Sequence, residues 1–515
     1  MADVYDFVII GAGAAGEAAA HLAVGRGASV AVVDRELFGG SCAFWACMPS
    51  KSLLHDAGIH VLDADHSWRQ ASDRRDWMID REHVDWPDDS SHIKSLHDAG
   101  ATVIRGAARI EAPGRVTVSP GGDGEARVLA ARNIVVAVGS SSTVPPIPGL
   151  ADARPWTNRE GTSTRELPRS LVVLGGGPTG IELAQVYARF GVAVSVVHSH
   201  ERLNQRDHPR NSAAIRSALE RDGVKVYAPV RAERVVAGIG GADHEVVLGD
   251  GTSVRGQHIM LSVGRSVPVD GLGLENVGVT LRDGRLPGDG TLRLADGVWV
   301  AGDPAGPEMH THLAHYQGEM VVRMALGEDV KPDYRAIPRA VYTDPETGGV
   351  GMTVDEARAA GIDAVEFSAD LAQTAKGFVA DATGHVTIVV DKGKRELIGA
   401  FIAGPGASEA IHEAVLAIKT RTPIDVLADT IHAFPTVARV LGTVFMEASR
   451  AAPSERMNGP RRGVAPALVS GRPDVTVRSE GLESRSRSEG QHEAPIRRTA
   501  GQPAGRAGSP RTSPG

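Results

Sequence analysis

The sequence predicts an α/β protein of several domains, with two Rossmann-like units that each carry a glycine-rich turn. Two observations lead to this prediction. A short apolar run is followed at once by a glycine-rich turn and a helix at Gly11, and again far downstream at Gly175. The chain has 515 residues, whereas a single hydrophobic core stops growing at about 250 to 300 residues.

The first unit begins with Phe7–Ile10, an apolar run that predicts a strand buried on both faces. The turn GAGAAG follows, then an alanine-rich helix from Glu17 to about Val24, and a strand from Ser29 to Val33 that ends at Asp34. A strand, glycine turn, helix and strand with an acid about 20 residues on is the pattern of a dinucleotide-binding unit.

Each glycine of this turn has a separate role in such a unit. Gly11 permits the tight turn, Gly13 lets the backbone approach a pyrophosphate, and Gly16 lets the helix pack on the strand. The helix N-terminus faces the phosphates, and Asp34 is placed to accept a hydrogen bond from a ribose hydroxyl.

Cys42 and Cys47 are the two cysteines of the chain, and both lie in the segment GGSCAFWACMPSK (39–51). Cysteines this sparse and this close favour a reactive pair. The alternative is two buried thiols that act as small hydrophobic residues. In a reducing cytosol a disulfide is more often catalytic than structural.

The second unit runs from the apolar strand Leu171–Leu174 through the turn GGGPTG and a helix from Ile181 to a strand ending at His198. An NAD site would place an acid at the end of this strand, but basic residues follow instead: His198, His200, Arg202 and Arg206. Such a cluster suits a 2′-phosphate, so NADP is predicted over NAD. The alternative is a solvated loop that happens to be basic.

Further elements are predicted from apolar runs and turn residues. A β region begins with one strand from Val103 to Ile110 and contains a Gly-Gly-Asp-Gly turn at 121–124, and residues 53–66 form a helix. After Val341 strands alternate with helices, among them a helix from Glu409 to Ile418. Residues 451–515 contain no aromatic residue and are rich in Pro, Gly, Ser and Arg, which predicts a disordered tail. A phosphorylated or nucleic-acid-binding arm is the alternative.

The composition excludes several classes of protein. It is that of a soluble globular protein, with 42% hydrophobic and 23% charged residues. The net charge of −8 gives no sign of a nucleic-acid partner. No apolar run reaches the about 20 residues that span a bilayer, so no membrane association is predicted. The N-terminal segment has no basic leader, and a cytoplasmic location is expected.

Seven segments together resemble those of the two-dinucleotide flavoprotein disulfide reductases, a family that includes dihydrolipoamide dehydrogenase, glutathione reductase and mercuric reductase. The resemblance runs from about Tyr5 to Ala448. The segments are GAGAAG, GGSCAFWACMPSK, AVGSS (137–141), GGGPTGIELA from Gly175, SVGR (262–265), VWVAGD (298–303) and VYTDPE (341–346).

The resemblance implies FAD and NADP (or NAD) as cofactors, and it assigns residues to each. The residues implied to contact FAD are Gly11, Gly13, Gly16, Asp34 on the adenosine ribose, Lys51 beside the flavin, Ala108, Gly139, Asp303 on the ribityl chain and Ala314. Those expected at the nicotinamide nucleotide are Gly175, Gly177, Gly180, Val263 and Gly264, together with His198 and Arg202 of the basic cluster.

The resemblance also implies a division of the chain. Residues 1–155 and 269–335 form the two parts of an FAD-binding domain, residues 156–268 an NAD(P)-binding domain, and residues 336–450 an α+β domain through which a homodimer forms. The tail, residues 451–515, lies outside the resemblance.

The implied catalytic residues are Cys42, Cys47, Lys51 and Glu182. NADPH would reduce the flavin, and the reduced flavin would open a Cys42–Cys47 disulfide. Cys47 resembles the thiolate on the flavin side, and Cys42 the outer thiol that meets the substrate. Lys51 and Glu182 resemble the ion pair beside the flavin.

The sequence departs from the family at the residue that acts as the general base. Members that act on dithiols have a histidine before a proline near the C-terminus and a glutamate a few residues later, but here Phe434 and Arg439 occupy these positions. A phenyl ring cannot accept a proton, and such help is worth about 10² to 10⁴ in rate. His432 is offset by two residues, and a substitute role for it stays open.

The pair Phe434-Pro435 resembles the corresponding residues of mercuric reductase. That enzyme also needs a C-terminal cysteine pair, which this tail lacks. A metal cluster of His310, His312 and His315 is disfavoured, since the Leu-Ala-His at 313–315 matches a family segment beside the flavin. No metal site is predicted.

Three functions stay open. The leading one is an NAD(P)H-dependent flavoprotein that passes electrons to a small acceptor such as a quinone, which needs no shuttle for a thiol proton. The second is a thiol–disulfide oxidoreductase of the dihydrolipoamide dehydrogenase or mercuric reductase type. The third is a flavin-bound redox sensor with little turnover.

Overall fold

The structure is a computed structural model that describes residues 3–82, 85–121 and 124–451. The predicted disordered tail lies outside these residues, apart from Ala451, and so do two residues of the predicted turn at 121–124. Among the described helices, none is long and apolar enough to cross a membrane.

The elements up to residue 142 are, in chain order, β1 (Asp3–Ile10), α1 (Ala14–Gly25), β2 (Val30–Asp34), α2 (Gly40–Phe44), α3 (Cys47–Leu62), α4 (Trp68–Met78), α5 (Ser90–Ala99), β3 (Thr102–Arg105), β4 (Ala107–Ala112), β5 (Arg115–Ser119), β6 (Arg127–Val136) and β7 (Ser141–Ser142).

The next elements are α6 (Asn158–Ser163), β8 (Ser170–Leu174), α7 (Pro178–Arg189), β9 (Ala193–Val197), α8 (Pro209–Arg221), β10 (Lys225–Tyr227), β11 (Ala232–Val236), β12 (His244–Leu248), β13 (Ser253–Gly256), β14 (His258–Leu261), β15 (Arg265–Ser266), β16 (Arg293–Ala295), β17 (Val298–Val300) and α9 (Thr311–Ala325).

The last described elements are β18 (Arg339–Val341), β19 (Thr347–Gly351), α10 (Val354–Ala359), β20 (Ala364–Asp370), α11 (Ala375–Ala380), β21 (His385–Asp391), β22 (Glu396–Ala403), α12 (Ala407–Ala410), α13 (His412–Thr420), α14 (Ile424–Ala428) and α15 (Val437–Ala451). Short 3₁₀ helices cover Ala151–Ala153, Leu274–Val277 and Leu371–Gln373.

The first sheet has the order β16-β17-β6-β1-β2-β3, with β5 beside β6 and β4 beside β5. Strands β17, β6, β1, β2 and β3 are parallel to one another, whereas the edge strand β16 is antiparallel to β17. The carboxyl ends of such strands meet at one edge of the sheet, where ligands of α/β folds bind. The predicted strand Phe7–Ile10 is confirmed and is at most 5% exposed.

The second sheet, β10-β9-β8-β14, is parallel throughout. A three-stranded antiparallel sheet of β11, β12 and β13 accompanies it, and the short β7 and β15 form a two-stranded link. The predicted α/β class with two glycine-turn units is therefore confirmed.

The third sheet, β18-β19-β22-β21-β20, is antiparallel. Side chains of α13, α14 and α15 pack against it in one apolar core. This α+β arrangement confirms the change of pattern predicted after Val341.

Three predicted boundaries were wrong. The single strand Val103–Ile110 is two strands separated by Gly106, where a Cβ would lie 2.7 Å from the Ser119 carbonyl oxygen. The helix Glu409–Ile418 is interrupted at Ile411. The helix expected over residues 53–66 already begins at Cys47, because Pro49 lies in its first turn, where proline is tolerated.

Candidate active site

The two cysteines lie where the loop after β2 packs onto the first glycine-rich turn. Cys42 is in the short helix α2, and Cys47 is the first residue of α3. Gly40 has φ of +67°, and a Cβ on it would lie 2.7 Å from Gly13 Cα. This close backbone approach holds the cysteine segment against the first dinucleotide unit.

Thr311, the first residue of α9, contacts both sulfurs. Its hydroxyl oxygen lies 3.1 Å from Cys42 Sγ and 3.4 Å from Cys47 Sγ. Both cysteines are present as thiols. Sequence reasoning missed Thr311, because nothing in its spacing from the cysteines indicates the contact.

The environment makes the two thiols unequal. Hydrogen bonding from the Cys42 thiol, helped by Thr311 and by the charge of Lys51, lowers the pKa of Cys47 even though burial opposes it. The bond toward Cys47 and burial raise the pKa of Cys42. The N-terminus of a helix also favours a thiolate, so Cys47 is the sulfur that ionises first.

Lys51 and Glu182 form an ion pair, as the resemblance implied. Lys51 Nζ lies 2.8 Å from Glu182 Oε2, and the Glu182 side chain is only 4% exposed. Burial lowers the pKa of Lys51, but the Glu182 charge outweighs this effect and the net shift is upward. The second carboxylate oxygen of Glu182 accepts a hydrogen bond of 3.0 Å from the Tyr342 backbone N–H. Lys51 Nζ also lies 4.6 Å from the centroid of the Tyr342 ring.

The first glycine-rich turn has the form that a pyrophosphate needs. A Cβ on Gly11 would overlap the Ala137 carbonyl oxygen, and one on Gly16 would overlap the Gly11 carbonyl oxygen. A Cβ on Gly13 would meet nothing nearer than Gly40 Cα at 3.9 Å. Packing within the protein therefore requires Gly11 and Gly16, whereas the space at Gly13 is left for a ligand.

Asp34 supports this turn from the end of β2. Its carboxylate accepts hydrogen bonds from Ala12 N at 2.7 Å and from Glu36 N at 2.8 Å. Burial raises the pKa of Asp34, and these two bonds oppose the rise. A carboxylate oxygen has more than one lone pair, so hydrogen bonding to a ribose hydroxyl remains available.

The other residues expected at FAD follow the same sheet edge. Asp303 comes after β17, and its carboxylate accepts a hydrogen bond from the Ser140 hydroxyl, next to Gly139. Arg265 Nε donates to the same hydroxyl at 2.6 Å. Ala108 in β4 and Ala314 in α9 line the same cavity as these groups.

The second glycine-rich turn repeats the first. A Cβ on Gly175 would overlap the Ser262 carbonyl oxygen, and one on Gly180 would lie 2.8 Å from the Gly175 carbonyl oxygen. A Cβ on Gly177 would come no nearer than 3.7 Å to any atom. Val263 and Gly264 follow β14 and line the cavity beside this turn.

His198 at the end of β9 supports this turn. Its Nδ1 accepts a hydrogen bond of 3.1 Å from Gly176 N, and its Nε2 lies 3.0 Å from the Arg202 carbonyl oxygen. Burial lowers the pKa of His198. Because both ring nitrogens are engaged, the neutral ring holds the backbone and leaves neither nitrogen for a phosphate.

Arg202 points away from the predicted nucleotide site. Its guanidinium donates to the carbonyl oxygens of Gln205 at 3.2 Å and Asp207 at 3.3 Å, and it does not line the cavity. Among the exposed basic side chains that do line it, His200, Arg206 and Arg231 belong to the segments that follow β9 and β10. Arg231 is distant in sequence, so the local basic cluster gave no signal for it.

One cavity of about 1800 Å³ contains both glycine-rich turns and the thiol pair. A pocket for one drug-sized ligand has about 300 to 1,000 Å³. Of the residues assigned above to catalysis or to a cofactor, Gly16, Gly180 and Arg202 do not line it.

A histidine pair, His310 and His312, flanks Thr311 in the chain. His310 Nε2 is 2.7 Å from Glu308 Oε2, and Glu308 Oε1 is 3.1 Å from Arg339 Nη1. The His310 ring stacks on His312 with 5.0 Å between centroids. Among the described residues, no group of three or more His, Cys, Asp or Glu side chains is placed to hold a metal ion.

The segment expected to supply a base is apolar and exposed. The Phe434 side chain is 73% exposed. His432 is turned inward instead: its side chain is 5% exposed, and its Nε2 lies 2.8 Å from Glu413 Oε1. The ring lies against Gly442 of α15, where a Cβ would overlap His432 Nδ1. This placement disfavours His432 as a substitute base.

Two glycine-rich dinucleotide turns that share one cavity with a thiol pair are the arrangement of a two-nucleotide redox enzyme. Residues 5–318 match the family described as pyridine nucleotide-disulphide oxidoreductase, and residues 337–445 match the dimerisation domain of that family. The chain belongs to the pyridine nucleotide-disulphide oxidoreductases, which are flavin-dependent enzymes.

Two named relatives align with most of this chain and with most of their own length. The dihydrolipoyl dehydrogenase of Halobacterium salinarum is 31% identical over 84% of this chain and 94% of its own length. The mercuric reductase of Streptomyces lividans is 31% identical over 85% of this chain and 94% of its own length.

Solved structures show the same fold. The crystal structure of LpdA from Mycobacterium tuberculosis is 27% identical, covers 86% of this chain and 99% of its own, and has a TM-score of 0.77. A Cu(II) complex of a variant of the HOCl-induced flavoprotein disulfide reductase RclA from Escherichia coli is 25% identical, covers 87% of this chain and 99% of its own, and has a TM-score of 0.78.

Proposed function

We propose that this protein is an NADPH-dependent FAD oxidoreductase that passes electrons to a small acceptor of the quinone class. FAD would lie on the first glycine-rich turn and the nicotinamide nucleotide on the second. When bound, the flavin supplies two-electron transfer between the nicotinamide and the Cys42–Cys47 pair. Residues 336–450 would form a homodimer, and a cytoplasmic location fits the composition.

The observation that carries this proposal is the missing base. Reduction of a disulfide substrate needs a group that moves the proton of the exchanging thiol. Phe434 cannot do so, and His432 is buried against Gly442 and paired with Glu413. A quinone takes up its protons on oxygen and makes no exchange with a thiol, so this loss does not prevent its reduction.

The preference for NADPH is supported by the second turn. No acid is available at the end of β9 to bind a 2′-hydroxyl, because His198 occupies that position. The exposed side chains of His200, Arg206 and Arg231 line the cavity near this turn. Guanidinium groups bind phosphate oxygens in a bidentate manner.

The homodimer is supported by exposed apolar side chains within residues 336–450. Large side chains there are open to solvent in the single chain: Phe378 at 83%, Leu416 at 64%, Ile431 at 98% and Phe434 at 73%. All four lie in the part of the chain that matches the family's dimerisation domain, where a subunit interface would remove them from water.

A second candidate is thiol–disulfide exchange, which is favoured because both sulfurs of the Cys42–Cys47 pair line the cavity and contact the same Thr311 hydroxyl. Anaerobic titration with NADPH followed by a panel of acceptors separates the two. We expect turnover with a quinone that persists in Cys42→Ser, because the outer thiol is not needed. We expect slow turnover with a cyclic disulfide, and Phe434→His should raise it by about 10²-fold or more.

Fast disulfide turnover in the wild-type protein, abolished in Cys42→Ser, would contradict the proposal and establish the second candidate. Flavin reduction without turnover on any acceptor would indicate the redox sensor. Hg(II) and Cu(II) belong in the panel, since one relative is a mercuric reductase and one solved relative is a Cu(II) complex.

A further inference from the structure

The proposed reaction needs a proton that the nicotinamide does not supply. Overall, NADPH, one proton and a quinone give NADP⁺ and a hydroquinone. The hydride of NADPH accounts for two electrons and one proton, so one further proton has to reach a quinone oxygen. A positioned side chain that delivers it contributes about 10² to 10⁴ in rate.

Few groups near the thiols are suited to give up a proton. Lys51 is bound to Glu182, which raises its pKa. Burial raises the pKa of Tyr342. His312 directs Nε2 to the Pro338 carbonyl oxygen at 2.9 Å, and a carbonyl oxygen can only accept. That proton therefore stays in a hydrogen bond.

His310 is held differently. Its Nε2 lies 2.7 Å from a Glu308 carboxylate oxygen, and Arg339 fixes the other oxygen at 3.1 Å. Burial would raise the pKa of Glu308, but His310 and Arg339 outweigh it and the net shift is downward, so Glu308 is a carboxylate. Within the described residues, His310 Nδ1 has no hydrogen-bond partner, and the side chain is 27% exposed.

His310 is also next to the redox centre. It directly precedes Thr311, whose hydroxyl lies 3.1 Å from Cys42 Sγ. His310, Glu308 and both cysteines line the same cavity. The charged or titratable groups around the His310 ring are Glu308, Arg339 and the stacked His312, with His412 beyond His312.

We propose that His310 is the proton donor to the acceptor and that Glu308 is its positioning residue. This inference rests on the proposed function. An N–H bond of the His310 ring breaks as an O–H bond forms on the reduced quinone, and the ring then takes a proton back from solvent. The donor lies in the chain next to Thr311, so this step does not depend on the segment around Phe434.

The test compares two acceptors in the flavin-loaded, full-length protein. A water-soluble quinone takes up protons, whereas ferricyanide takes up electrons alone, so the ratio of the two turnover rates isolates proton delivery from folding and flavin content. We expect His310→Gln to lower the quinone-to-ferricyanide ratio by about 10²-fold or more, in kcat rather than in KM. His312→Gln is the matched control and should keep the wild-type ratio.

Two further variants distinguish proton transfer from a structural role. Glu308→Gln keeps the shape of the side chain and should lower the ratio less than His310→Gln does. Added imidazole should restore part of the quinone rate in His310→Ala and none of the ferricyanide rate.

Equal ratios in His310→Gln and His312→Gln, or no rescue by imidazole, would overturn the assignment and leave the proposed function in place. A wild-type protein that reduces ferricyanide with NADPH but reduces no quinone would overturn the proposed function, and the assignment with it.

Discussion

The two glycine-rich turns have the same backbone but different side chains at the end of the following strand. In both turns the first glycine has φ near +105°, and the glycine two residues later, Gly13 or Gly177, has open space where a side chain would be. In both, the residue at the strand end accepts the N–H that follows the first glycine: Asp34 accepts it from Ala12, and His198 accepts it from Gly176.

Asp34 and His198 differ in charge and in the number of hydrogen bonds that each can still make. A carboxylate has lone pairs left after it has accepted two backbone bonds, so Asp34 can still bind a ribose hydroxyl. The two ring nitrogens of His198 are both used, and the ring is neutral because burial lowers its pKa. The same support for the backbone thus leaves hydrogen-bonding capacity for a ribose hydroxyl at Asp34 and none at His198.

The largest effect is expected from filling the open space at Gly13 or at Gly177, which should impair only the nucleotide bound at that turn. Gly13→Ala should lower FAD affinity about 10- to 100-fold, because overpacking costs about 1 to 3 kcal/mol. Gly177→Ala should leave the flavin bound and raise the KM for NADPH by a similar factor. Flavin content and steady-state kinetics measure the two effects.

Gly58→Ala is the control for both variants, since a Cβ there would meet nothing within 4 Å and Gly58 does not line the cavity. The comparison would fail if Gly13→Ala and Gly177→Ala impaired the same nucleotide.

A smaller effect is expected on the discrimination between NADPH and NADH at the second turn. Arg206→Ala and Arg231→Ala should each raise the KM for NADPH about 10-fold and leave that for NADH nearly unchanged, because a charged hydrogen bond is worth about 1.5 to 3 kcal/mol. Arg202→Ala should not change the ratio of the two KM values, since its guanidinium binds backbone carbonyl oxygens. A rise in the KM for NADPH but not for NADH in Arg202→Ala alone would instead support the contact of Arg202 with the nucleotide that the sequence predicts.

The smallest effect depends on pH. The folded-state pKa of His198 lies below its ordinary value, so its contribution to stability is complete above that value and declines as the pH falls toward the folded-state pKa. We expect thermal stability of the wild-type protein to fall between about pH 7 and pH 5 more steeply than that of His198→Asn. Parallel pH profiles of the two proteins would contradict a buried neutral ring.

The sequence predicted those parts of the site that depend on backbone pattern. Gly11 and Gly175 follow buried strands and open helices, and this local order determines where they lie. The ion pair of Lys51 with Glu182 was expected only through the family resemblance, because 131 residues separate the two partners.

Side-chain directions in loops could not be predicted. The sequence places Arg202 in a basic cluster expected at a 2′-phosphate. In the structure its guanidinium donates to the carbonyl oxygens of Gln205 and Asp207 instead. Arg231 and Thr311 come from distant segments that only the folded chain brings to the cavity. The break at Gly106 was missed for a similar reason, since it depends on the approach of β5.

The buried Glu182 carboxylate joins three parts of the chain: one oxygen holds Lys51 of α3 and the other holds the Tyr342 backbone after β18. A truncation before residue 337 would therefore do more than prevent assembly, because it would leave a charged oxygen without a donor inside the protein. Any hinge motion that swings α7 away from α3 has to break the same bonds. Substrate entry is accordingly expected through local loop movement rather than through separation of whole domains.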